Sequence, residues 1–248
     1  MSNHHLSGFT KEHAGELTIL VGDPARVHLF SELLTDSTVV VNNREFIAVS
    51  GLFNKQRISI ISTGIGVGST EIAVIELIAS GAKRLVRVGG CGAWQDQVNP
   101  GDIIMNHAMA RGTGMLSAYV PDNYPAVADP LLFNQIYQYL SKHNKCIHTG
   151  IGLTAEGFYL SQGRDLNLFG QSHAEQVMSY WQQRKILNAE METAVIYLLG
   201  ALYQIPVANC LVAHVSRKNN QWVGNLDYQS THLNTAQLVI ESIIPTQL

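Results

Sequence analysis

Short apolar segments of strand length alternate with helix-like segments along the whole chain of 248 residues. Residues 17–21, 84–88 and 207–215 are the clearest strand candidates, and Pro24 marks the start of the first helix between them. No break in composition and no internal repeat divides the sequence. This alternation predicts one α/β domain that spans residues 1–248.

The spacing of apolar residues and the turn residues assign the individual segments. The predicted strands are residues 17–21, 38–41, 46–51, 56–62, 84–88, 102–108, 147–154 and 207–215. The predicted helices are residues 24–34, 70–80, 131–143, 174–185, 191–204 and 229–244. Residues 111–130 are predicted to be an excursion loop, and the polar and aromatic residues 157–173 are typical of a ligand loop or of a loose surface segment.

The composition indicates a globular protein with a large core and few charged residues. Hydrophobic residues make up 46% of the chain and charged residues 14%, which leaves apolar surface for contacts between subunits. The formal net charge of −3 gives no indication of a nucleic-acid or membrane partner. The N-terminal residues contain no apolar segment of signal-peptide length, and no run approaches a transmembrane span. We therefore expect a cytoplasmic protein.

The cysteine and histidine content indicates neither a disulfide framework nor a metal centre. Cys91, Cys146 and Cys210 are odd in number and widely spaced, which argues against disulfides and against a zinc site. The ten histidines are scattered without metal-ligand spacing, and His4 and His5 are adjacent near the N-terminus. These observations favour a protein of a reducing compartment.

A charged residue, Arg87, lies near the end of the apolar strand 84–88 and precedes glycines at positions 89, 90 and 92. A buried arginine is costly unless it meets an anion. The glycines are predicted to form a turn, and without β-carbons they let a ligand approach the backbone closely. Two interpretations stay open here: a pair between Arg87 and an internal carboxylate, or contact with an anionic ligand.

Two further arginines fall at the ends of predicted strands. Arg26 begins the helix that Gly22-Asp23-Pro24 introduces, and Arg44 lies in a turn between two strands. Planar guanidinium groups match the oxygens of phosphate. Three arginines in such positions favour a phosphate ligand over three unrelated surface ion pairs.

The segment STGIGVGS, residues 62–69, partly matches a dinucleotide-binding turn. Ser69 stands where the third glycine of G-x-G-x-x-G belongs, and no acidic residue follows at the required distance. The chain also lacks a G-x-x-x-x-G-K-[ST] phosphate loop. What remains is a strand, glycine turn and helix, which can bind an anion through backbone N–H groups.

Glu190, Met191 and Glu192 lie where a loop passes into an apolar helix. Carboxylates at a helix start are favourable for the helix dipole, so a purely structural role is open. In a functional role, a carboxylate accepts hydrogen bonds from the hydroxyls of a sugar, and Met191 packs on the face of the sugar.

Phe158, Gln162 and Arg164 lie in the aperiodic loop 157–173. Because an amide both donates and accepts hydrogen bonds, Gln162 and Arg164 can read an imide edge such as that of uracil. On their own, these residues are equally compatible with an ordinary polar loop.

Together these segments resemble the nucleoside phosphorylase family, which includes hexameric purine nucleoside phosphorylases and uridine phosphorylases. The matching segments are GDPAR, NNREF, STGIGVGST, RVGGCGAWQ, PAVAD, FYLSQGR, AEMET and the SRKNN loop, in the order of the family. The resemblance implies an α/β fold of three αβα layers around a central mixed β-sheet. The triplet 162–164 matches the Q-x-R motif of the uridine branch, and Arg217 follows Ser216 where the purine branch has an aspartate.

The resemblance also implies a site and a reaction, the reversible phosphorolysis of uridine to uracil and ribose 1-phosphate. Phosphate, the co-substrate, would contact Gly22, Arg26, Arg87 and Gly90, with Arg44 from a neighbouring subunit. Ribose would contact Glu190, Met191 and Glu192, with His5, or alternatively His4, from the neighbour. The base would contact Phe158, Gln162, Arg164 and Arg217, and the catalytic residues would be Arg87, Glu192 and Arg164.

The resemblance implies no organic cofactor, and a potassium ion between paired subunits at Glu45, Ser69 and the backbone carbonyl of Ile65. The protein would be a homo-oligomer, either a hexamer built as a trimer of dimers or a dimer. The alternatives are a purine nucleoside phosphorylase, a hydrolytic nucleosidase, and a nucleoside-binding homologue with weakened catalysis.

Gly90 departs from the family, which usually has Thr or Ser at this position, with a hydroxyl that contacts phosphate and ribose. Loss of one hydrogen bond to a charged group weakens binding by about 1.5–3 kcal/mol, or roughly ten- to a hundredfold. We therefore expect weakened phosphate binding, and improved use of phosphate in a Gly90→Thr variant.

Overall fold

The computed structural model of the chain describes residues 4–143, 145–166 and 173–245, and at residues 225–227 it describes the backbone alone. The strands are β1 Thr18–Val21, β2 Thr35–Asn43, β3 Phe46–Phe53, β4 Gln56–Ser62, β5 Leu85–Ala93, β6 Ile103–Gly112, β7 Ala126–Val127, β8 Ile147–Ala155, β9 Asn188–Glu190, β10 Val207–Ser216 and β11 Gln221–Trp222. The helices are α1 Lys11–Ala14, α2 Pro24–Ser31, α3 Val67–Ala79, α4 Pro130–Lys142, α5 Ala174–Gln183, α6 Thr193–Tyr203 and α7 Asn225–Ile243. Met115–Ala118 and Leu160–Gln162 form short 3-10 helices.

The strands form one mixed sheet in the order β11-β10-β6-β8-β9-β5-β1-β4-β3-β2, with β7 attached to β6. β1 pairs in parallel with β4 and β5, whereas β2, β3 and β4 form an antiparallel meander. β10 also pairs with β5, so β5, β10, β6, β8 and β9 close into a ring. This ring brings the ends of strands that are distant in sequence to one place.

Helices cover both faces of the sheet, because apolar side chains of the strands alternate between the faces. Leu20 of β1 packs in one core with α3 and α6, whereas Ile19 and Val21 pack in another core with α2, α4 and α7. The predicted three-layer αβα arrangement with a central mixed sheet is therefore confirmed.

The glycines that follow Arg87 lie inside β5, so the predicted turn at this position is wrong. β5 pairs in parallel with β10 along its length, with Gly89 opposite Leu211 and Gly90 opposite Val212. These ladder hydrogen bonds hold the glycines in an extended conformation. The propensity of glycine for turns is overridden by a neighbouring strand that lies more than 100 residues away in the chain.

The other differences from the predicted segments are short elements that were not predicted and helices that begin at other residues. Residues 111–130 contain the end of β6, a 3-10 turn and β7. β9 and β11 have only three and two residues, which is too short for a periodic signal. The helix predicted to start at residue 191 starts at Thr193, and the last helix starts at Asn225. Residues 167–172 of the predicted loop lie outside the described residues.

Within the described part of the chain, every helix is too short or too polar to cross a lipid bilayer.

Candidate active site

A cleft of about 400 Å³ lies where β5, β9 and β10 meet the first turn of α2. Its walls contain most of the residues predicted for the phosphate, ribose and base subsites. These are Gly22, Arg26, Arg87, Gly90, Phe158, Gln162, Arg164, Glu190, Met191 and Glu192. One cleft thus brings together residues predicted for all three subsites, and its volume suits a small-molecule ligand.

Arg26 lies in the first turn of α2, at the wall of the cleft. Asp23 caps this helix, because its carboxylate accepts a hydrogen bond of 2.9 Å from the backbone N–H of Ala25. The side chain of Arg26 is buried, and its Nε and Nη1 have no hydrogen-bond partner among the described residues. Burial lowers the pKa of this guanidinium group. Since buried donors rarely lack partners, Arg26 is suited to an anionic ligand.

Arg87 is also buried, but it pairs with two carboxylates inside the protein. Its Nε lies 3.1 Å from Oε2 of Glu190, and its Nη2 contacts Oε2 of Glu192. Burial alone would lower the pKa of Arg87, but the two carboxylates outweigh burial and raise it, so the group stays charged. The internal pairing is thus confirmed. Nη1 still has no partner among the described residues, which leaves one donor for a ligand.

The guanidinium groups of the two arginines face one space beside Gly22. A β-carbon at this position would lie 3.5 Å from the carbonyl oxygen of Gly64, 3.7 Å from Nη2 of Arg26 and 3.9 Å from Nη1 of Arg87. Glycine leaves this space empty. Donors that converge on such a space suit a compact anion, and phosphate is the anion whose geometry matches guanidinium groups best.

Glu190 serves as an internal anchor, because neighbouring groups occupy its carboxylate oxygens. It ends β9, and its Oε2 accepts hydrogen bonds of 2.9 Å from the backbone N–H groups of Glu192 and Thr193. The hydroxyls of Thr193 and Thr154 donate to it as well. These contacts cap α6 and hold Arg87 in place. A contact between Glu190 and ribose stays a prediction.

Glu192 is the second carboxylate of the cleft, and the glycine segment 62–69 holds it. Its Oε1 accepts a hydrogen bond of 2.7 Å from the backbone N–H of Gly66, which directly precedes α3 and has a φ of 90°. The anion at this glycine turn is therefore a side chain of the protein itself. Burial raises the pKa of Glu192, the charge of Arg87 opposes this shift, and the carboxylate of Glu190 adds to it.

The predicted base-binding residues form one cluster at the rim of the cleft. The Cζ atom of Arg164 lies 4.1 Å from the centre of the Phe158 ring, and Nη1 lies 2.7 Å from Oε1 of Gln162. Gln162 is buried and donates to the carbonyl oxygen of Gly157. Because an amide has two N–H groups and two lone pairs, Gln162 keeps a donor and an acceptor for a ligand. Burial and the charge of Arg217 lower the pKa of Arg164 to about 10, so it stays charged at neutral pH.

Arg217 holds this cluster against the central sheet. It follows β10 directly, and its Nη1 and Nη2 donate to the carbonyl oxygens of Gln162 and Gly163 at 3.0 and 2.8 Å. It is not part of the cleft wall. Its predicted contact with a base stays a prediction.

The cleft wall also contains residues that are absent from the predicted site, and His214 and Trp222 are the two with aromatic rings. The ring of His214 covers Gly90, so that a β-carbon at position 90 would overlap the imidazole. Its sequence signal is a polar residue in the apolar run 207–215, which is the same signal that pointed to Arg87. Trp222 is 60% exposed in a polar segment and gives no periodic signal.

Three of the residues predicted to serve a neighbouring subunit or a potassium ion lie together outside the cleft. Arg44 and Glu45 form the turn between β2 and β3, and Asn43, the last residue of β2, donates a hydrogen bond of 3.0 Å to the carbonyl oxygen of His5. Ser69 donates a hydrogen bond of 2.8 Å to Oε1 of Glu45. Contacts of these residues with a neighbour or with potassium stay predictions.

A separate group of possible metal ligands lies where β6 and β8 begin. Nε2 of His148 lies 2.9 Å from Oδ2 of Asp102 and 3.5 Å from Sγ of Cys146. The spacing of the histidines did not indicate this group, because the pairing of β6 with β8 brings Asp102 to Cys146 and His148. The hydrogen bond between Asp102 and His148 accounts for this contact, and all three cysteines are free thiols.

Comparison with known proteins identifies the family of the chain. The sequence profile of the phosphorylase superfamily matches residues 16–241. A uridine phosphorylase from Thermococcus kodakarensis is 35% identical over 205 residues, which cover 82% of this chain and 74% of the relative. A guanosine phosphorylase from Halorubrum lacusprofundi is 30% identical over 185 residues, which cover 75% of this chain and 72% of the relative.

The fold agrees with a solved structure as well. The crystal structure of uridine phosphorylase from Vibrio fischeri superimposes with a TM-score of 0.85 at 30% identity, and the match covers 95% of this chain and 94% of the other. The profile match and the structural match extend over nearly all of the sheet and its helices. The chain belongs to the phosphorylase superfamily.

Proposed function

We propose that this protein is a uridine phosphorylase, which converts uridine and phosphate reversibly into uracil and ribose 1-phosphate. The observation that carries the proposal is the space beside Gly22, which Arg26 and Arg87 face next to the carboxylate of Glu192. The relatives that are named uridine phosphorylases support it. The protein is then a pentosyltransferase of one domain, residues 1–248, with phosphate as co-substrate and no organic cofactor.

The difficult step is cleavage of the bond between C1′ of ribose and N1 of uracil. As this bond breaks, its electron pair moves to uracil, and positive charge develops on the ribose. Phosphate held between Arg26 and Arg87 stabilises this charge, and one of its oxygens then forms the new bond to C1′. No covalent intermediate with the enzyme is needed, and burial raises the pKa of Cys91, so that this thiol is a poor nucleophile.

Glu192 orients the ribose by accepting hydrogen bonds from its hydroxyls. Gly66 and Arg87 hold the carboxylate from two sides, which fixes it before the substrate binds. Met191, also in the cleft wall, packs on the face of the sugar.

Arg164 and Gln162 stabilise the departing uracil. The guanidinium group of Arg164 is charged at neutral pH and lies beside Gln162, so both can contact the O2 and N3–H edge of the base. The Phe158 ring, against which Arg164 stacks, covers the base from the rim of the cleft. Electrostatic stabilisation thus replaces a strong general acid.

A purine nucleoside phosphorylase is the second candidate, because a guanosine phosphorylase is among the relatives at 30% identity. A purine leaving group calls for an acid close to its imidazole ring. Arg217, which follows Ser216 at this position, binds backbone carbonyls and cannot donate a proton at neutral pH. This chemistry favours uracil over a purine as the leaving group.

The assembly is proposed as a homo-oligomer in which Arg44 and His5 complete the site of a neighbouring subunit. Both lie on the same outer surface as Glu45 and Ser69, which supports a shared interface. We propose a potassium ion at that interface, held by the side-chain oxygens of Glu45 and Ser69, which are hard donors, and by the backbone carbonyl of Ile65, a residue that also lines the cleft.

One assay tests the function. The purified protein is incubated with uridine, inosine or methylthioadenosine, with and without phosphate, and the released base is measured. Uracil release that depends on phosphate is the expected result. Base release without phosphate would identify a nucleosidase, and phosphate-dependent release of hypoxanthine alone would identify a purine phosphorylase. Absence of turnover with all three substrates would identify a binding protein.

A further inference from the structure

His214 enters the cleft through a local irregularity of β10. The pairing of β10 with β5 shifts register between Ala213 and Val215, which makes His214 the extra residue of a β-bulge. Bulges next to functional sites commonly redirect a side chain. Here the redirected imidazole lies against Gly90 and lines the cleft.

The ring of His214 fills the space that a side chain at position 90 would need. The three atoms nearest to an ideal β-carbon on Gly90 are Cε1, Nε2 and Nδ1 of this ring. Glycine at position 90 and histidine at position 214 are therefore complementary. The polar ring of His214 thus occupies the space of a side chain at position 90, on the cleft wall that also contains Arg87.

One nitrogen of His214 is bound to a second buried histidine. Nε2 of His214 lies 2.7 Å from Nε2 of His232, which α7 places behind the cleft wall with 0% exposure. At this distance one nitrogen carries the proton and the other accepts it. The direction of this hydrogen bond decides what the other nitrogen of His214 offers to the cleft.

The environment of His232 favours one direction. Nδ1 of His232 is buried and has no partner among the described residues. If His214 donated, the proton of neutral His232 would lie on this isolated Nδ1, and a buried N–H group without an acceptor is costly. If His232 donates through Nε2, its Nδ1 carries no proton, and only the lone pair of this atom stays without a partner. The second arrangement places the proton of His214 on Nδ1, which makes no hydrogen bond with the described residues.

Both rings are neutral in the folded protein. Burial lowers the pKa of His214 to about 4 and that of His232 to about 2, and the charges of Arg26 and Arg87 add to both shifts. The ring of Tyr228 packs against both imidazoles. A neutral imidazole with its proton on Nδ1 is a hydrogen-bond donor that needs no counter-ion.

We propose that His214 binds the phosphate through Nδ1–H, together with Arg26 and Arg87, and that His232 is a positioning residue that holds His214 in this tautomer. The proposal rests on the proposed function in that phosphate is the anion. It also explains why Gly90 is tolerated, because the histidine supplies the donor that a hydroxyl at position 90 would otherwise supply.

Calorimetric titration with inorganic phosphate, without any nucleoside, tests the ligand contact. We expect His214→Phe to weaken phosphate binding about ten- to a hundredfold, with His143→Gln, an exposed histidine, as the control that leaves it unchanged. Equal affinity of His214→Phe and wild type would overturn the proposal. Failure of the proposed function gives a different pattern, in which the wild type binds no phosphate or releases uracil without it.

A swap of the two positions keeps the test informative if His214→Phe folds poorly. His214→Ala should weaken phosphate binding, and the double variant Gly90→Ser with His214→Ala should recover affinity, because a hydroxyl then occupies the vacated space. Recovery in the double variant supports the role of the donor. A double variant no better than His214→Ala would refute it.

Nitrogen NMR tests the role of His232 directly. With saturating phosphate, the ¹⁵N shifts of His214 should show a protonated Nδ1 and an unprotonated Nε2. His232→Phe should remove this preference and weaken phosphate binding, whereas His232→Gln, whose amide can still donate, should restore both. The opposite tautomer in the wild type, or equal loss in both variants, would exclude the positioning role.

Discussion

Arg26 and Arg87 are both buried, yet they differ in what holds them in the protein. Arg87 pairs with Glu190 and Glu192, whereas Arg26 has no carboxylate partner within hydrogen-bonding distance among the described residues. Arg87→Met should therefore lower the free energy of unfolding by about 3–5 kcal/mol, because two buried carboxylates lose their partner. Arg26→Met should leave the free energy of unfolding within about 1 kcal/mol of wild type, since the substitution removes a poorly solvated charge.

Chemical denaturation measures both values, and phosphate calorimetry accompanies it. Both variants should lose most of the phosphate affinity. If Arg26→Met were as destabilised as Arg87→Met, Arg26 would be part of the structural network rather than free for a ligand.

Gly90→Thr should harm the protein rather than improve its use of phosphate. The β-carbon of Thr would overlap the ring of His214, and overpacking of a filled space typically costs about 1–3 kcal/mol. This reverses the expectation drawn from the family pattern alone. Thermal unfolding checks it, with Gly114→Thr as the control, because a β-carbon at Gly114 meets nothing within 4 Å. Unchanged stability of Gly90→Thr would show that the His214 ring moves away freely.

The buried histidine pair should make the protein sensitive to acid. His232 has a pKa of about 2 in the folded protein, below the ordinary value of about 6.5, because of burial and the charges of Arg26 and Arg87. Between these values the unfolded chain binds a proton that the folded protein does not, so stability falls as the pH drops below about 6.5. The titration of this one residue changes the free energy of unfolding by up to about 1.4 kcal/mol per pH unit.

His232→Phe should flatten this acid-side slope in urea unfolding measured from pH 7 to pH 4. Asn234→Ala, at an exposed and uncharged position of the same helix, should leave the slope as in wild type. A slope that is identical in His232→Phe and wild type would mean that the buried ring does not titrate on unfolding.

At the scale of elements, the loop that carries the proposed base-binding residues depends on a residue from another segment. Arg217 donates to the carbonyl oxygens of Gln162 and Gly163, and so ties the loop to the end of β10. Arg217→Met should raise the KM for uridine about tenfold, which corresponds to about 1.4 kcal/mol, while the KM for phosphate changes little. Lys218→Met, at the adjacent exposed residue, is the control. Equal changes in both KM values would contradict a role confined to the base loop.

Strand β5 shows where prediction from the local sequence fails at this scale. Its residues up to Val88 have an apolar strand pattern, but Gly89, Gly90 and Gly92 have the composition of a turn. Pairing with β10 keeps them extended and puts their bare backbone at the cleft wall. The glycines were expected to let another group approach the backbone closely, and in the structure they do so within a strand. The group that lies against Gly90 is the ring of His214.

At the scale of the molecule, the site is expected to be complete only in an oligomer. If Arg44 serves a neighbour, Arg44→Ala and Arg26→Met subunits should each be inactive alone, and mixed assembly should restore activity. In a randomly mixed dimer, about a quarter of all sites would have both arginines intact. The two variants are unfolded, mixed and refolded together, and the activity of the refolded mixture measures the fraction of intact sites. Lack of recovery in mixtures shown to contain both subunits would place Arg44 outside the neighbour's site.

Much of the cleft could be predicted because chemically unusual residues stand out against their segments. Arg87 in an apolar strand, the Gly22-Asp23-Pro24 helix start and the cluster of Glu190 and Glu192 all lie in the cleft region where they were expected. Trp222 could not be found in this way, because an exposed aromatic residue in a polar segment is common on protein surfaces.

The sequence alone determined the alternating strands and helices, Arg87 in its apolar segment and the polar and aromatic residues of the loop after β8, because each leaves a local pattern or composition. Only the tertiary structure decided the roles that depend on contacts between distant segments. It assigned Glu190 to anchor Arg87 and α6, assigned the glycine turn to Glu192, and set His214 against Gly90. The physical reason is that hydrogen-bond partners and occupied volume are set by packing, which no single segment of the chain encodes.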